Sequence, residues 1–323
     1  MDRERIITWL GDDWTKVQSG IRGALTSDIC LLNVTNESIM SHSGKMLRPL
    51  LALLFARACG DVNDESIRFA AASEILHNAT LLHDDVADNS MERRGEPTVN
   101  SFMGSRNAVL VGDFWLAKAV EVVIGASRHR DQVISFFTRT LTDLAEGEML
   151  QLEKASSADT TLDDYFRIIY DKTASLFVAT CMSAAVSVDA GPEIREIARQ
   201  YAKAAGIAFQ IKDDILDYAG TDALGKPVGI DLEEQKITLP LLGALQGSER
   251  EAEIRNMVKD IHHSPECCET VREFVRERDG VGYATRILDE YIEKAVRSLD
   301  PLPDSTAKSY LVELARFNAL RNV

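Results

Sequence analysis

The amino-acid sequence predicts an all-α fold built from ten or more helices. Long segments carry apolar residues three and four positions apart, the spacing that places them on one face of a helix. Only eight prolines interrupt the 323 residues, and no Asn-Gly or Asp-Gly pair joins two β-rich runs. The helical pattern is clearest in four segments, residues 67–82, 108–124, 162–188 and 194–215.

Helix starts can be placed at two points, and the connections predict one domain. Thr161 precedes a segment with acidic residues in its first turn, which is typical of a helix N-terminus. Asp304 or Ser305 occupies the same position before a C-terminal helical segment. Because no linker rich in Gly, Ser or Pro divides the chain, residues 1–323 are predicted to form a single all-α domain.

The net charge excludes two classes of partner. The chain has 36 Lys and Arg against 51 Asp and Glu, a formal net charge of −15. Such a protein is not expected to bind nucleic acid or to dock on an anionic membrane, because both require a basic surface. A small anionic substrate remains compatible, since a local site can have the opposite sign to the whole protein.

The cysteines and the N-terminus predict a cytoplasmic protein. Five cysteines, an odd number without a CxxC pair, are typical of reduced thiols. The first ten residues, MDRERIITWL, lack the apolar segment of a signal peptide. No apolar run reaches the roughly 18 residues expected of a transmembrane segment.

Two aspartate clusters of the same pattern carry the strongest chemical signal. Residues four apart share a helical face, so the first and last aspartate of each cluster should project together. Clustered carboxylates repel each other unless a cation binds, and Mg²⁺ prefers carboxylate and phosphate oxygens. One such cluster is equally compatible with a solvated helix end, but two in apolar surroundings indicate a metal site. The clusters are LLHDDVADNSMERRG and FQIKDDILDYAG, which contain Asp84, Asp85, Asp88, Asp213, Asp214 and Asp217.

Basic residues near Gly or Pro breaks supply the positive charge that binding of a phosphate ligand would require. Any one of them is more often a surface charge, but together they fit the rim of a phosphate site. These residues are Lys45, Arg48, Arg93, Arg94, Lys172, Lys226 and Lys236.

This ordered set of motifs resembles the trans-isoprenyl diphosphate synthases, also called polyprenyl synthetases. The resemblance is to long-chain members such as the octaprenyl diphosphate synthases, and it runs from Ser43 to the C-terminal segment. Two positions depart from the family pattern, because Ser43 and Gln235 stand where the family usually has glycine. The motifs are GKxxRP, EILHNATLLHDDVADxxxxRRGxPT, GDFxLAKA, DKTASL, GxAFQIKDDILDY and LGKPVGxDLxxxKITLP.

The resemblance implies a helical bundle around a deep central cavity, a homodimer, and a Mg²⁺-dependent prenyl transfer. It implies that the six aspartates hold three Mg²⁺ ions around an allylic diphosphate. Thr173 and Gln210 would line the reacting end of the pocket. The allylic diphosphate would be held by Arg93, Lys172 and Lys226, with Lys236 a further candidate. The isopentenyl diphosphate site would be formed by Gly44, Lys45, Arg48, His77 and Arg94.

In the implied reaction, metal ions and cationic side chains stabilise the departing diphosphate, so that the allylic C–O bond ionises. The double bond of isopentenyl diphosphate attacks the resulting cation, and a proton is then lost to the released diphosphate. No protein nucleophile is required, which agrees with a sequence that lacks a Ser-His-Asp or Cys-His pattern.

The residues before the first aspartate cluster predict a long product. Short-chain synthases of this family often carry a large aromatic residue four or five positions before the first aspartate, where this chain has Thr80 and Ala79. Small side chains there, about 7–8 Å from Asp84 along the helix, leave the hydrocarbon tunnel open. A product of about eight units, as in a quinone side chain, is therefore favoured. Further small residues are Ala71 and Ala72, and the candidate floor residues are Phe114, Trp115 and Val120.

Several other functions share part of this sequence pattern. A short-chain farnesyl or geranylgeranyl diphosphate synthase and the catalytic subunit of a heterodimeric synthase both remain open. A terpene cyclase is disfavoured, because Asp217 and Thr221 occupy the positions of Ser and Glu in its second motif. A di-iron enzyme needs two ExxH motifs, and only Glu74-x-x-His77 is present. A non-catalytic subunit or scaffold is disfavoured, since both aspartate clusters are intact.

Overall fold

The computed structural model describes residues 3–42, 44–93, 95–219 and 229–320, with side chains up to residue 317. The all-α prediction is confirmed, and the helices number more than ten. The first helices are α1 (Arg3–Leu10), α2 (Asp12–Ala24), α3 (Cys30–Ser41), α4 (Leu47–Cys59), α5 (Asp64–Ala87), α6 (Val99–Met103), α7 (Ser105–Ile124) and α8 (Arg130–Ser157). The others are α9 (Leu162–Ile169), α10 (Ser175–Ser187), α11 (Pro192–Ala219), α12 (Ile230–Glu233), α13 (Leu239–Leu245), α14 (Glu251–Lys259), α15 (Cys267–Glu277), α16 (Gly280–Ser298) and α17 (Thr306–Leu320).

Within the described ranges, the β-structure consists of two short antiparallel strands, β1 (Glu92–Arg93) and β2 (Glu96–Pro97). Glu92 pairs with Pro97, and Arg93 pairs with Glu96. The ribbon directly follows the first aspartate cluster, so it determines where the Arg93 side chain starts.

Caps define the ends of the helices that carry or support the site. Asn63 caps α5 by accepting from the backbone N–H groups of Glu65 and Ser66. Thr161 caps α9, as predicted, since its hydroxyl accepts from the Asp164 N–H. Ser305 makes the corresponding bond at the start of α17, to the Lys308 N–H. Each bond satisfies a backbone donor that the first helical turn leaves without a partner.

Two apolar cores surround the central helices. The first is built mainly on α4, α5, α7 and α10, and the second on α11, α13, α15 and α16. Helix α11 contributes Ala202 to the first core and Ile207 to the second, so it ties the two together. None of the helices in the described part of the chain is long and apolar enough to span a lipid bilayer.

The segment predicted as one helix over residues 162–188 is interrupted by a π-helical turn, Tyr170–Ala174. Helices α8 and α11 approach this turn very closely at two glycines. A Cβ atom at Gly147 would lie 2.7 Å from the Asp171 Cβ, and one at Gly206 would lie 2.7 Å from the Ala174 Cα. The two glycines therefore allow α8 and α11 to pack directly against the turn. Single π-helical turns of this kind often occur at functional sites.

Candidate active site

The two aspartate clusters occupy the C-terminal ends of two long helices. Asp84 and Asp85 lie in the last turn of α5, with Asp88 as its C-cap residue, and the second cluster lies in the last two turns of α11. The side chain of Lys236 interacts electrostatically with both Asp231 and Asp88. Asp231 in turn interacts with Asp214 and Asp217, so Lys236 and Asp231 connect the two clusters.

Asp84 and Asp88 share one face of α5, as their spacing predicted. Burial raises the pKa of Asp84 to about 6, and the Glu148 carboxylate adds to the rise while Lys172 opposes it. Partial burial also raises the pKa of Asp88. A raised carboxyl pKa means that the ionised form lacks sufficient positive charge around it. A divalent cation would supply that charge.

Asp85 points to a different side of α5 and is only 5% exposed. The Arg93 Nε donates a hydrogen bond to the Asp85 Oδ1 at 2.6 Å. The Asn100 side-chain amide donates to the backbone carbonyl of Asp85 at 3.2 Å. Asp85 therefore anchors Arg93 and the start of α6 against the end of α5.

Asp214 is also enclosed, with 3% exposure. The Tyr165 hydroxyl donates to its Oδ2 at 2.6 Å, and the Gln210 amide donates to its Oδ1 at 2.9 Å. The Gln210 Oε1 accepts from the Thr173 hydroxyl at 2.8 Å. Burial raises the pKa of Asp214, and the two hydrogen bonds to its carboxylate oppose that rise.

Asp217 holds the N-terminus of α12. Its carboxylate accepts from the backbone N–H groups of Gly229 and Ile230 at 3.1 Å and of Asp231 at 3.4 Å. Gly229 adopts φ = 92°, which favours glycine. Burial raises the pKa of Asp217, and the backbone N–H groups lower it. Asp213 is half-buried one turn before Asp217 on the same face of α11.

Lys172 and Lys236 each lie against a carboxylate that sequence reasoning did not assign. The Lys172 Nζ contacts the Glu148 Oε2 at 2.5 Å, and Lys236 is paired with Glu234. Burial lowers the pKa of Lys236, but Glu234 and Asp231 together raise it above its usual value. Lys236 therefore remains charged at neutral pH.

Besides Glu234, three residues of the site were missed by sequence reasoning. Glu148 on α8 and Tyr165 on α9 belong to no motif and meet the aspartates only through the fold. Asp231 does lie in the motif LGKPVGxDL, which was a usable signal. Burial and the neighbouring aspartates raise the pKa of Asp231 well above its usual value.

Three of the residues assigned to isopentenyl diphosphate, Gly44, Lys45 and Arg48, lie around the start of α4. The Arg48 guanidinium is 5.1 Å from the Phe177 ring centroid, and the Phe177 ring packs against Phe209, the neighbour of Gln210. The Lys45 ammonium is 5.8 Å from the Phe317 ring centroid. Gly44 adopts φ = 67°, which turns the chain into α4.

His77 is half-buried on α5, two turns before the first aspartate cluster. Its backbone carbonyl accepts from the Thr80 hydroxyl at 2.8 Å. Arg94 and Lys226, which were also predicted to bind diphosphate, lie outside the described residues.

The residues predicted to control product length differ in their surroundings. Thr80 is half-buried and precedes Asp84 by one helical turn, on the same face of α5. Ala79 has no accessible surface, so its methyl group is packed rather than facing open space. Ala71 is also packed, because α2 approaches it at Gly20. Of the candidate floor residues, Trp115 is buried, whereas Phe114 and Val120 are half-buried.

The donor set fits a hard divalent cation that also binds substrate. Among the described residues, no three His, Cys, Asp or Glu side chains converge as they would in a metal site made by protein ligands alone. Mg²⁺ is usually bound through one or two carboxylates together with phosphate oxygens and water. Partly buried carboxylates with raised pKa values, at the ends of two helices, match that mode.

Comparisons with known proteins agree with this geometry. The sequence model of the family described as polyprenyl synthetase matches residues 30–277. The all-trans-nonaprenyl-diphosphate synthase (geranyl-diphosphate specific) of Rhodobacter capsulatus is 37% identical, over 97% of this chain and 96% of the relative. The octaprenyl diphosphate synthase of Haemophilus influenzae is 39% identical, over 96% and 94%. The polyprenyl synthase of Caulobacter crescentus, solved with calcium and isoprenyl diphosphate, superposes with a TM-score of 0.89 at 34% identity, covering 100% and 98%.

Proposed function

The chain belongs to the polyprenyl synthetase family, and we propose that it condenses isopentenyl diphosphate with an allylic diphosphate into a long all-trans polyprenyl diphosphate. The observation that carries this proposal is the arrangement of the two aspartate clusters around Lys172, Lys236 and Asp231. We further propose that residues 1–323 act as one domain, in a reducing compartment such as the cytoplasm, since none of the five cysteines is in a disulfide.

The residues that would hold Mg²⁺ are the six aspartates of the two clusters, Asp84, Asp85, Asp88, Asp213, Asp214 and Asp217, and three ions are expected by resemblance. When bound, the metal stabilises negative charge on the departing diphosphate. Three of these carboxylates already accept hydrogen bonds from the protein, which would hold them in place: Asp85 from Arg93, Asp214 from Tyr165 and Gln210, and Asp217 from backbone N–H groups.

Lys172, Lys236 and Arg93 would bind the allylic diphosphate, together with Lys226. Each of the first three contacts a carboxylate in the structure, which holds the cation in place before the substrate arrives. A diphosphate carries more negative charge than a single carboxylate, so it can compete for these cations. The isopentenyl diphosphate site is assigned to Gly44, Lys45, Arg48, His77 and Arg94.

Thr173 and Gln210 would adjoin the reacting carbon, on the π-helical turn and on α11. Their oxygen atoms would face the allylic cation as it forms, while apolar side chains such as Phe177 and Phe209 exclude water. The proton lost after condensation would pass to the released diphosphate, the strongest base expected next to the new double bond.

Release of diphosphate tests this reaction directly. The purified chain should release one diphosphate for each isopentenyl diphosphate consumed, and only when Mg²⁺ and both substrates are present. Release from the allylic substrate alone would indicate a cyclase or a hydrolase instead, and addition of EDTA should stop all release.

A long product is proposed because Thr80, the residue one turn before Asp84, is small. Thr80→Phe is expected to shorten the product, because the larger side chain would block a chain growing along this face of α5. The measurement is chromatography of the dephosphorylated products. Thr285→Phe on the exposed surface of α16 is the matched control and should keep the wild-type length. An unchanged length in Thr80→Phe would contradict the position of the tunnel.

A homodimer is proposed because large apolar side chains are exposed on neighbouring helices. Leu110 on α7 is 56% exposed and Leu152 on α8 is 55% exposed. Such groups are rarely clustered on the surface of a monomer. Others on the same helices or on α3 and α6 are Leu31, Val34, Phe102, Val109 and Met149.

The double variant Leu110→Glu/Leu152→Glu should therefore be monomeric, because it places charges in an apolar interface. Light scattering after size exclusion would show the mass falling by half. Ala252→Glu, on the exposed face of α14, adds one such charge elsewhere and should leave the dimer intact. A dimeric double variant would exclude this face as the interface.

A further inference from the structure

Tyr165 is a buried tyrosine on α9 whose hydroxyl reaches into the second aspartate cluster. It is 3% exposed, and its ring packs edge-on against Phe166 with the centroids 5.4 Å apart. The hydroxyl donates a short hydrogen bond to the Asp214 Oδ2 at 2.6 Å. Among the described residues, Asp214 is the one hydrogen-bond partner of the Tyr165 side chain. Tyr165 therefore contacts the site through Asp214.

The bond from Tyr165 begins a chain of three hydrogen bonds that crosses three elements. Asp214 on α11 accepts from Tyr165 on α9 and from Gln210 on its own helix, and Gln210 accepts from Thr173 on the π-helical turn. Both carboxylate oxygens of Asp214 act as acceptors in these bonds. The Gln210 amide must therefore turn its NH₂ group toward Asp214 and its oxygen toward Thr173.

This orientation determines what the Thr173 hydroxyl can offer to a ligand. Its single hydrogen is committed to the Gln210 oxygen, so its remaining capacity is that of an acceptor. An acceptor oxygen carries negative partial charge, which favours a neighbouring cation over a neighbouring diphosphate. The chain of hydrogen bonds therefore fixes the Thr173 hydroxyl oxygen as an acceptor, and Thr173 directly follows Lys172 in the sequence.

We propose that Tyr165 is a positioning residue for the prenyl transfer, acting through Asp214 and Gln210 to hold the Thr173 oxygen as an acceptor toward the developing allylic cation. This inference rests on the proposed function and deepens it. Tyr165 itself need not touch either substrate. Its removal should therefore affect the rate of ionisation and leave the binding of both diphosphates nearly unchanged.

Tyr165→Phe removes the hydroxyl and keeps the ring. We expect kcat to fall at least about tenfold, as for a lost hydrogen bond to a charged group. The KM values for both substrates should stay within about threefold, since binding in the ground state is retained. Calorimetry with an unreactive allylic thiolodiphosphate and Mg²⁺ should likewise give a Kd within about threefold of the wild type.

A double-mutant cycle separates positioning from packing. If Tyr165 acts through Thr173, adding Tyr165→Phe to Thr173→Val should lower kcat by less than about twofold. Thr173→Ser keeps a hydroxyl and should remain sensitive to Tyr165→Phe. Should Tyr165→Phe fail to fold, Gln210→Leu breaks the same chain at its next bond. Because it also removes the Gln210 oxygen, it should lower kcat at least about tenfold and leave the KM values within about threefold, and wild-type kcat in Gln210→Leu would overturn the proposal.

Tyr291→Phe is the matched control, because the Tyr291 ring also packs on Phe166, with the centroids 5.6 Å apart. It should retain wild-type kcat. Wild-type kcat in Tyr165→Phe, or losses that multiply in the double variant, would overturn the positioning role. Absence of product from the wild-type chain would instead refute the proposed function, so the two failures are distinguishable.

Discussion

Asp84→Asn is expected to lower kcat about a thousandfold, equivalent to about 4 kcal/mol of transition-state stabilisation. Asn keeps the size of the side chain but removes the charge that would hold Mg²⁺ at the diphosphate. The same variant should unfold less easily. Burial raises the pKa of Asp84 to about 6, above its unfolded value, so the ionised side chain destabilises the fold as pH rises through that value.

Steady-state kinetics at saturating Mg²⁺ and urea denaturation at pH 8 without metal measure the two effects. The free energy of unfolding should rise by about 1 kcal/mol or more. Asp289→Asn, an exposed position on α16, is the control and should change neither quantity. A variant with near wild-type kcat would show that Asp84 does not hold the metal.

Gly206→Ala is expected to destabilise the protein and to slow catalysis together. The added Cβ would lie 2.7 Å from the Ala174 Cα and 2.8 Å from its Cβ, so α11 and the π-helical turn must separate. Overpacking of this kind costs about 1–3 kcal/mol. The shift would also move Thr173 relative to Gln210, and we expect kcat to fall at least about tenfold.

Gly23→Ala is the control that tests whether the effect depends on the close packing at Gly206. Gly23 lies in α2, where no atom lies within 4 Å of the added Cβ. There the substitution should stabilise the protein by about 0.5–1 kcal/mol, because alanine favours helix. Chemical denaturation and kcat of both variants are the measurements. Equal stabilisation by both substitutions would contradict the close packing at Gly206.

Most of the helical fold could be predicted from the spacing of apolar residues, but the π-helical turn could not. The segment over residues 162–188 carries apolar residues three and four positions apart on both sides of the turn, so the sequence pattern does not mark the interruption. The interruption depends on Gly147 and Gly206, which come from helices distant in sequence. Contacts of that kind leave no local pattern.

The site could be predicted as far as local motifs reach. Helical spacing places Asp84 and Asp88 on one face of α5, but it does not indicate that Asp85 is enclosed with Arg93. Glu148 could not be found, since only the fold brings it to Lys172.

Small residues were the least informative. Alanine is expected both along an open tunnel and where two helices pack closely, so its presence does not distinguish the two. In the structure, Ala71 is packed against α2. Ala79 is likewise without accessible surface, which leaves Thr80 as the better candidate for the tunnel wall.

Mass spectrometry of the product made by the purified chain alone is the most direct test of the proposed activity. The chain would be incubated with Mg²⁺, isopentenyl diphosphate and farnesyl diphosphate, and the dephosphorylated product would be extracted. We predict an all-trans polyprenol in the range of the octaprenyl and nonaprenyl relatives. A geranylgeranyl product, or no product until a second subunit is added, would contradict the proposal.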